Sequence, residues 1–278
     1  MRSHSKFGSI AGVVGISLIV LLIAAALFGP LLGLANPTTN NLSARMLPPS
    51  FDTAKGFHLF GTDQLGRDIL SRTIHGARVT LMIGATAVIL GGIIGIVIGL
   101  VAGYYGRWVD AVLMRIVDVQ LSIPLSLLAL LVVGSIGPSL QNLILVLALT
   151  SWVQYARVVR GQVLVVRERE YIQSAHAIGL GDLRIIFSHI LSNVVSAALV
   201  IATIELARVI ILEAALSFLG LGVQPPAPSW GRMLAEGRAY MSTAPWIAIF
   251  PGAAIFLTAL AVNLTGDWLR DLLDPKVT

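Results

Sequence analysis

RVVRGQVLVVREREYIQSAHAIGLGDLRIIFSHILSN, residues 157–193, decides how the rest of the chain is read. It is the longest charged interruption in the second half of an otherwise apolar sequence. Arg160, Arg167, Glu168, Arg169, Glu170, Asp182 and Arg184 do not belong in hydrocarbon, so this segment sits in water. Tyr171, Ile172, Ala175 and Ile178 recur at helical spacing, which predicts a short amphipathic helix. Gly179 and Gly181 permit a sharp turn with positive φ. Asp182 is placed to cap a second helix carrying Leu183, Ile186 and Ile190 on one side. Ser174, Ala175 and Ala177 are small and are expected to face outward. Two readings fit: insertion into a groove on another protein, or an amphipathic face lying on lipid headgroups.

Composition sets the class around that segment. The 278 residues are 56% hydrophobic and 12% charged, which describes an all-α, polytopic membrane protein. Cysteine is absent, which excludes disulfides, thiolate metal sites and cysteine nucleophiles. The net charge of +5 comes from arginines scattered through short loops, a pattern of membrane orientation rather than of nucleic-acid binding. Lys6, Lys55 and Lys276 are the lysines, none follows a glycine, and no phosphate-binding loop occurs. Neither a zinc-protease H-E-x-x-H nor a G-x-S-x-G elbow is present, so no enzymatic activity is expected.

Working outward, Ile10 to Leu34 is apolar and uncharged after a basic start at Arg2 and Lys6. It outruns the roughly 7–15 apolar residues of a signal peptide, so it is expected to be an uncleaved first transmembrane helix. A proline- and asparagine-rich loop follows from Ala35. It tightens at residues 58–78 into an expected amphipathic helix on the outer membrane face, capped by Asp63 or Thr62. His58, His75, Asp63 and Asp68 match no common metal spacing and are expected to be solvated. The domain organisation read here is 1–78 as first span plus outer loop, and 79–278 as a five-helix core.

The second span, Val79 to Tyr105, carries Gly91, Gly95, Gly99 and Gly103 every fourth residue, a stripe that lets a neighbouring backbone approach. It serves either a transport-core seam or generic packing. The third span, Ala111 to Val133, is expected to bend at Pro124 and to pair Arg115 with Asp118. Leu140 to Val159 is the fourth span. The fifth, Val194 to Leu219, holds Glu205, Arg208 and Glu213. Glu205 and Arg208 are three apart and Glu213 lies on much the same face. They either line a substrate path or form a structural pair between helices, the commoner case. Trp230 and Tyr240 of the second outer loop fit an interfacial belt, and Pro245 to Thr265 is the sixth span.

Six spans put both termini on one side. Arg157, Arg160, Arg167, Arg169 and Arg184 lead the basic residues on one face; the other, longer loops hold fewer, Lys55, Arg67 and Arg72 among them. Positive-inside placement then makes both termini and residues 157–193 cytoplasmic.

The central segment also resembles the cytoplasmic loop of bacterial ABC-importer permeases, whose pattern is Glu-Ala-Ala, three residues, Gly, and later Ile-x-Leu-Pro. Here Gln173, Ser174 and Ala175 precede Gly179, and His189, Ile190, Leu191 and Ser192 follow. The last alanine, the glycine and the leucine match; Gln-Ser replaces Glu-Ala, and Ser192 replaces the proline. FGTDQLGRDILSR (60–72), EAALSFLGLGVQPPAPSWGRML (213–234) and FPGAAIFLTALAVNLTGDWLRDLLDP (250–275) resemble the C-type permease subunit of the dipeptide, oligopeptide and nickel branch.

That resemblance implies a type I importer permease fold in the bacterial inner membrane. It implies a homologous second permease, two cytoplasmic ATPases that hold the ATP and magnesium, and an extracytoplasmic binding protein. Glu170, Gln173, Ser174, Ala175, Gly179 and Asp182 become the expected ATPase-coupling residues, and peptides the expected cargo. The competing reading is a transporter driven by an ion gradient through Glu205, Glu213 or Asp118, though no internal repeat supports it.

Overall fold

The computed structural model describes residues 3–51 and 58–273; Arg2, Lys55 and Lys276 lie outside them. The described chain is helical, with isolated bridges at Ser50–His58 and Thr62–Asp68 and no named strand. Helix α1 is Ser3–Phe28, α2 Ile69–Tyr105, α3 Arg107–Ser122, α4 Leu125–Ile136 and α5 Leu140–Arg167. Then come α6 Glu170–Ala177, α7 Asp182–Ile185, a π turn at Ile186–Ile190, α8 Leu191–Phe218, α9 Trp230–Gly237 and α10 Trp246–Leu273. Among the described residues five helical stretches are long and apolar enough to cross a bilayer, or six if α3 and α4 make one broken span.

The expected amphipathic helix at 58–78 does not exist as a separate element. Residues 58–68 are an ordered loop, and Ile69 onward is the first part of α2. Asp68, not Asp63 or Thr62, caps it, its Oδ2 accepting from the Ser71 N–H at 2.8 Å. The 37 residues of α2 span roughly 56 Å at 1.5 Å each, against a hydrocarbon thickness of roughly 30 Å. One helix therefore ties the 58–72 loop at one end of the bundle to residues 157–193 at the other.

The third span is broken rather than bent. Ile123 takes an extended conformation (φ −90°, ψ 116°), as a residue before proline prefers, and α4 leaves α3 at 87°. The expected Arg115–Asp118 ion pair is not formed among the described residues; Asp110 instead receives both Nε and Nη2 of Arg160 at 2.6 Å, pinning α3 to α5. The fourth, fifth and sixth spans all run longer than expected, because charged and polar flanks continue the same helices.

The core is the seam between α2 and α5, the most extensive helix contact in the molecule. Gly91, Gly95 and Gly99 are buried in it against Ser151, Trp152 and Val159. Gly103 closes it on Val163. A Cβ on Gly99 would lie 2.7 Å from Val159 Cβ, so only hydrogen fits.

Candidate functional site

At the 157–193 end, α6 is folded back onto the bundle. Ile172 and Ala175 face inward with Ile185, Ile186 and Ile190 against Val159, Val163 and Val166 of α5. Burying each isoleucine contributes roughly 1.5–3 kcal/mol, enough to hold an eight-residue helix that has no stability of its own. Ala175 was expected to face out, but it is 5% exposed, since it shares a face with Ile172 one turn away. Ser174 and Ala177 do face out. Tyr171, Ile178 and Leu183, expected on apolar faces, are exposed as well. Ile178 (77%), Leu183 (69%) and Phe187 (62%) leave an uncovered apolar tip on an otherwise charged segment.

Gly179 turns the chain at φ +80°, its N–H donating to the His176 carbonyl at 2.9 Å while the Leu180 N–H donates to the Ala175 carbonyl at 3.1 Å. Asp182 does not cap α7 through its side chain. Its Oδ1 instead accepts from the Tyr104 hydroxyl of α2 at 2.8 Å, and the Tyr104 ring stacks on His176 with centroids 6.0 Å apart. Arg167 donates to the Gly103 carbonyl at 2.9 Å. These groups line a polar cleft of about 310 Å³ in which α2, α5, α6 and α7 meet. Glu170 begins α6, a favourable place for a carboxylate, and Gln173 donates to the Glu168 carbonyl at 3.2 Å.

At the opposite end, sequence reading missed a buried charge network. Asp63, fully buried and not solvated as expected, accepts Arg67 Nε at 2.6 Å and Arg72 Nη1. Glu236 of α9 accepts Arg72 Nη2 at 3.0 Å, Arg67 Nη2 at 3.1 Å and Arg232 Nε at 2.9 Å. His58 pairs with Asp68 at 3.0 Å. No cluster of three metal-ligating residues occurs among the described residues. Trp230 was expected in an interfacial belt but is 1% exposed, its Nε1 donating to the Thr73 carbonyl at 2.8 Å. Phe60 stacks on Phe250 with centroids 3.9 Å apart. The three motif stretches quoted above thus meet at one cap, a pattern invisible to local periodicity because the contacts that join them, Arg67 and Arg72 to Glu236, Trp230 to Thr73 and Phe60 to Phe250, link residues far apart in sequence.

Burial pushes the Glu236 carboxyl up, but Arg72, Arg232 and Arg67 outweigh it and hold the group below its ordinary 4.5. A carboxyl depressed on folding contributes stability above its unfolded value and loses it as pH falls toward the folded one. Acidification below about pH 4.5 is therefore expected to loosen the 58–72 and 229–238 segments first, read by hydrogen exchange, and Glu236→Gln to flatten that pH dependence.

Within the spans, Glu205 (5% exposed) accepts from Arg208 Nη1 at 3.2 Å, while Arg208 is 42% exposed. Glu213 faces elsewhere, toward α9: its Oε1 accepts the hydroxyls of Ser217 at 2.7 Å and Ser229 at 3.1 Å, and its Oε2 is buried without a partner. The structure joins Glu205 to Arg208 but does not bring Glu213 to them.

Residues 95–278, most of the chain, match the family described as the binding-protein-dependent transport system inner membrane component. The chain belongs to this family. The permease is 44% identical to a dipeptide transport system permease protein, DppC, of Alkalihalophilus pseudofirmus, over 95% of this chain and 86% of the relative. It is 41% identical to a probable D,D-dipeptide transport system permease protein, DdpC, of Escherichia coli K12, over 97% and 89%. It is 49% identical to a glutathione transport system permease protein, GsiD, of Pectobacterium atrosepticum, over 79% and 73%. It is thus a multi-pass membrane permease, and the ion-gradient reading is set aside.

Proposed function

We propose that this permease forms half of the path by which peptides enter a bacterial cell across the inner membrane, powered by ATP hydrolysed on partner subunits. The other half is a homologous permease, and an extracytoplasmic binding protein delivers the cargo. Both termini and α6 face the cytoplasm, where two ATPases bind the nucleotide and magnesium. The relatives' names, which speak of dipeptide, D,D-dipeptide and glutathione transport, support the cargo class.

One observation carries the coupling: the uncovered apolar tip at Ile178, Leu183 and Phe187 stands on a segment firmly seated on its inner side. Exposed apolar side chains beside Glu170, Gln173 and Ser174 suit a groove on an ATPase. Ala175 acts from within, as the small residue that lets α6 lie close to α5. As the ATPases close on ATP and part after hydrolysis, α6 follows, and α2 and α5 carry the motion across the membrane. The Gly91–Gly103 seam keeps those two helices moving as one body.

Tyr104 is a positioning residue in this scheme, because its hydroxyl ties Asp182 to α2. Tyr104→Phe removes one hydrogen bond, about 1 kcal/mol. It is expected to lower transport per ATP hydrolysed severalfold with normal complex assembly, measured in proteoliposomes. The function itself is tested by reconstituting the purified complex: peptide uptake should require ATP and survive collapse of proton and sodium gradients. Uptake that follows a gradient without ATP would contradict it.

A further inference from the structure

Arg208 is the one basic residue of α8, and its place is costly. It lies ten residues before the end of the helix at Phe218, roughly 15 Å along the axis, so its backbone is well inside the span rather than at headgroup level. Its side chain is 42% exposed, on a face of α8 where Ile204 and Ile211 are about half exposed as well. Among the described residues only Nη1 is engaged, by Glu205, which is itself buried. A half-exposed cation at this depth needs water or an anion in front of it.

The same side of the helix continues outward as an apolar groove. Ile211, Ala215 and Phe218 of α8, Leu234 of α9 and Ile255 of α10 line a hollow of about 500 Å³. At its outer rim the Arg238 guanidinium sits 4.8 Å from the centroid of the Phe218 ring. An apolar groove that begins at Ile211, one helical turn beyond Arg208 on the same face, suits a small molecule that joins apolar side chains to a carboxylate. A lipid supplies the apolar part, but its phosphate lies at the interface, not beside residue 208.

We propose that Arg208 takes the terminal carboxylate of the transported peptide, with the peptide's apolar side chains in the adjoining groove between α8, α9 and α10. The inference rests on the peptide-transport reading above and adds the residue that recognises the cargo inside the membrane. Glu205 holds the guanidinium by one nitrogen and leaves the remaining N–H groups free for the incoming anion.

The test uses the assembled importer with its binding protein in proteoliposomes. Initial uptake of a dipeptide is divided by uptake of the same dipeptide amidated at its C-terminus. Because every variant is served by the same binding protein, its own discrimination cancels between variants. Arg208→Gln should lower this quotient about tenfold, the loss expected for one charge-assisted contact, and Arg208→Lys should restore part of it. Equal loss of acid and amide uptake would overturn the inference in favour of a structural or permease–permease contact; an unchanged quotient would overturn it as well. Arg208→Cys gives a second measurement in a chain without native cysteine. A water-soluble thiol reagent should label this position, and dipeptide should slow the labelling. Failure to label would place the site against lipid or the partner permease and overturn the inference even if Arg208→Gln does not assemble. A wild-type complex that moves no peptide overturns the function proposed above together with this one; wild-type uptake with an unchanged quotient overturns this one alone.

Discussion

Gly179→Val should leave the permease inserted and assembled yet abolish transport. The residue stands at φ +80° with no atom within 4 Å of where a Cβ would be, so nothing is crowded and the whole cost is backbone. Holding a residue with a Cβ there costs roughly 1–2 kcal/mol, more when it is β-branched. The turn escapes that strain by opening, which breaks the bonds from the Gly179 and Leu180 N–H groups to the end of α6 and re-aims the helix. ATP hydrolysis by the complex should persist while uptake stops, and Gly179→Asn, a residue that tolerates this region, should recover much of the uptake. Normal transport by Gly179→Val would remove the turn from the coupling scheme.

Gly95→Val should have the opposite character, a loss of the protein itself. A Cβ there runs into the Trp152 carbonyl oxygen and meets Tyr155 Cβ, so the α2–α5 seam has to part along its length. Overpacking a close seam costs about 3 kcal/mol when backbone must move, a large share of a total stability of roughly 5–15 kcal/mol. The expected readout is a lower melting temperature in detergent and little assembled complex. Gly161→Ala on α5, where nothing lies within 4 Å, should be neutral or slightly stabilising. If both glycines tolerate substitution equally, the seam is not what holds α2 to α5.

These two glycines mark what local reading reaches. Gly95 was legible because a four-residue repeat projects directly onto one helix face. Gly179 was legible because a glycine between two amphipathic stretches signals a turn. Ala175 was read as facing outward because helical periodicity says which residues share a face, not which face meets the bundle; the chain's own valines on α5 settled that. Asp63 and Arg72 were beyond sequence reading for a different reason. Asp63 is held by Arg67 and Arg72, and both of those arginines also pair with Glu236, which stands beyond most of the transmembrane helices in sequence, so a buried charge cluster looked like a polar loop. Pro124 marks the interruption in the sequence, but with Ile123 extended the helix stops rather than bends. The exposure of Ile178, Leu183 and Phe187 likewise follows from how α6 and α7 are folded back, which no single-helix pattern encodes.

The most direct test of the central claim is a cross-link. Ser174 is exposed on α6 and the chain has no cysteine, so Ser174→Cys gives one defined reactive point. In the assembled complex this cysteine is predicted to form a disulfide or short bifunctional cross-link to a cysteine scanned along the ATPase groove, with an efficiency that changes when ATP is bound. If it reacts only with reagents confined to the exterior, or meets lipid and water but never the ATPase in any nucleotide state, the coupling account is wrong.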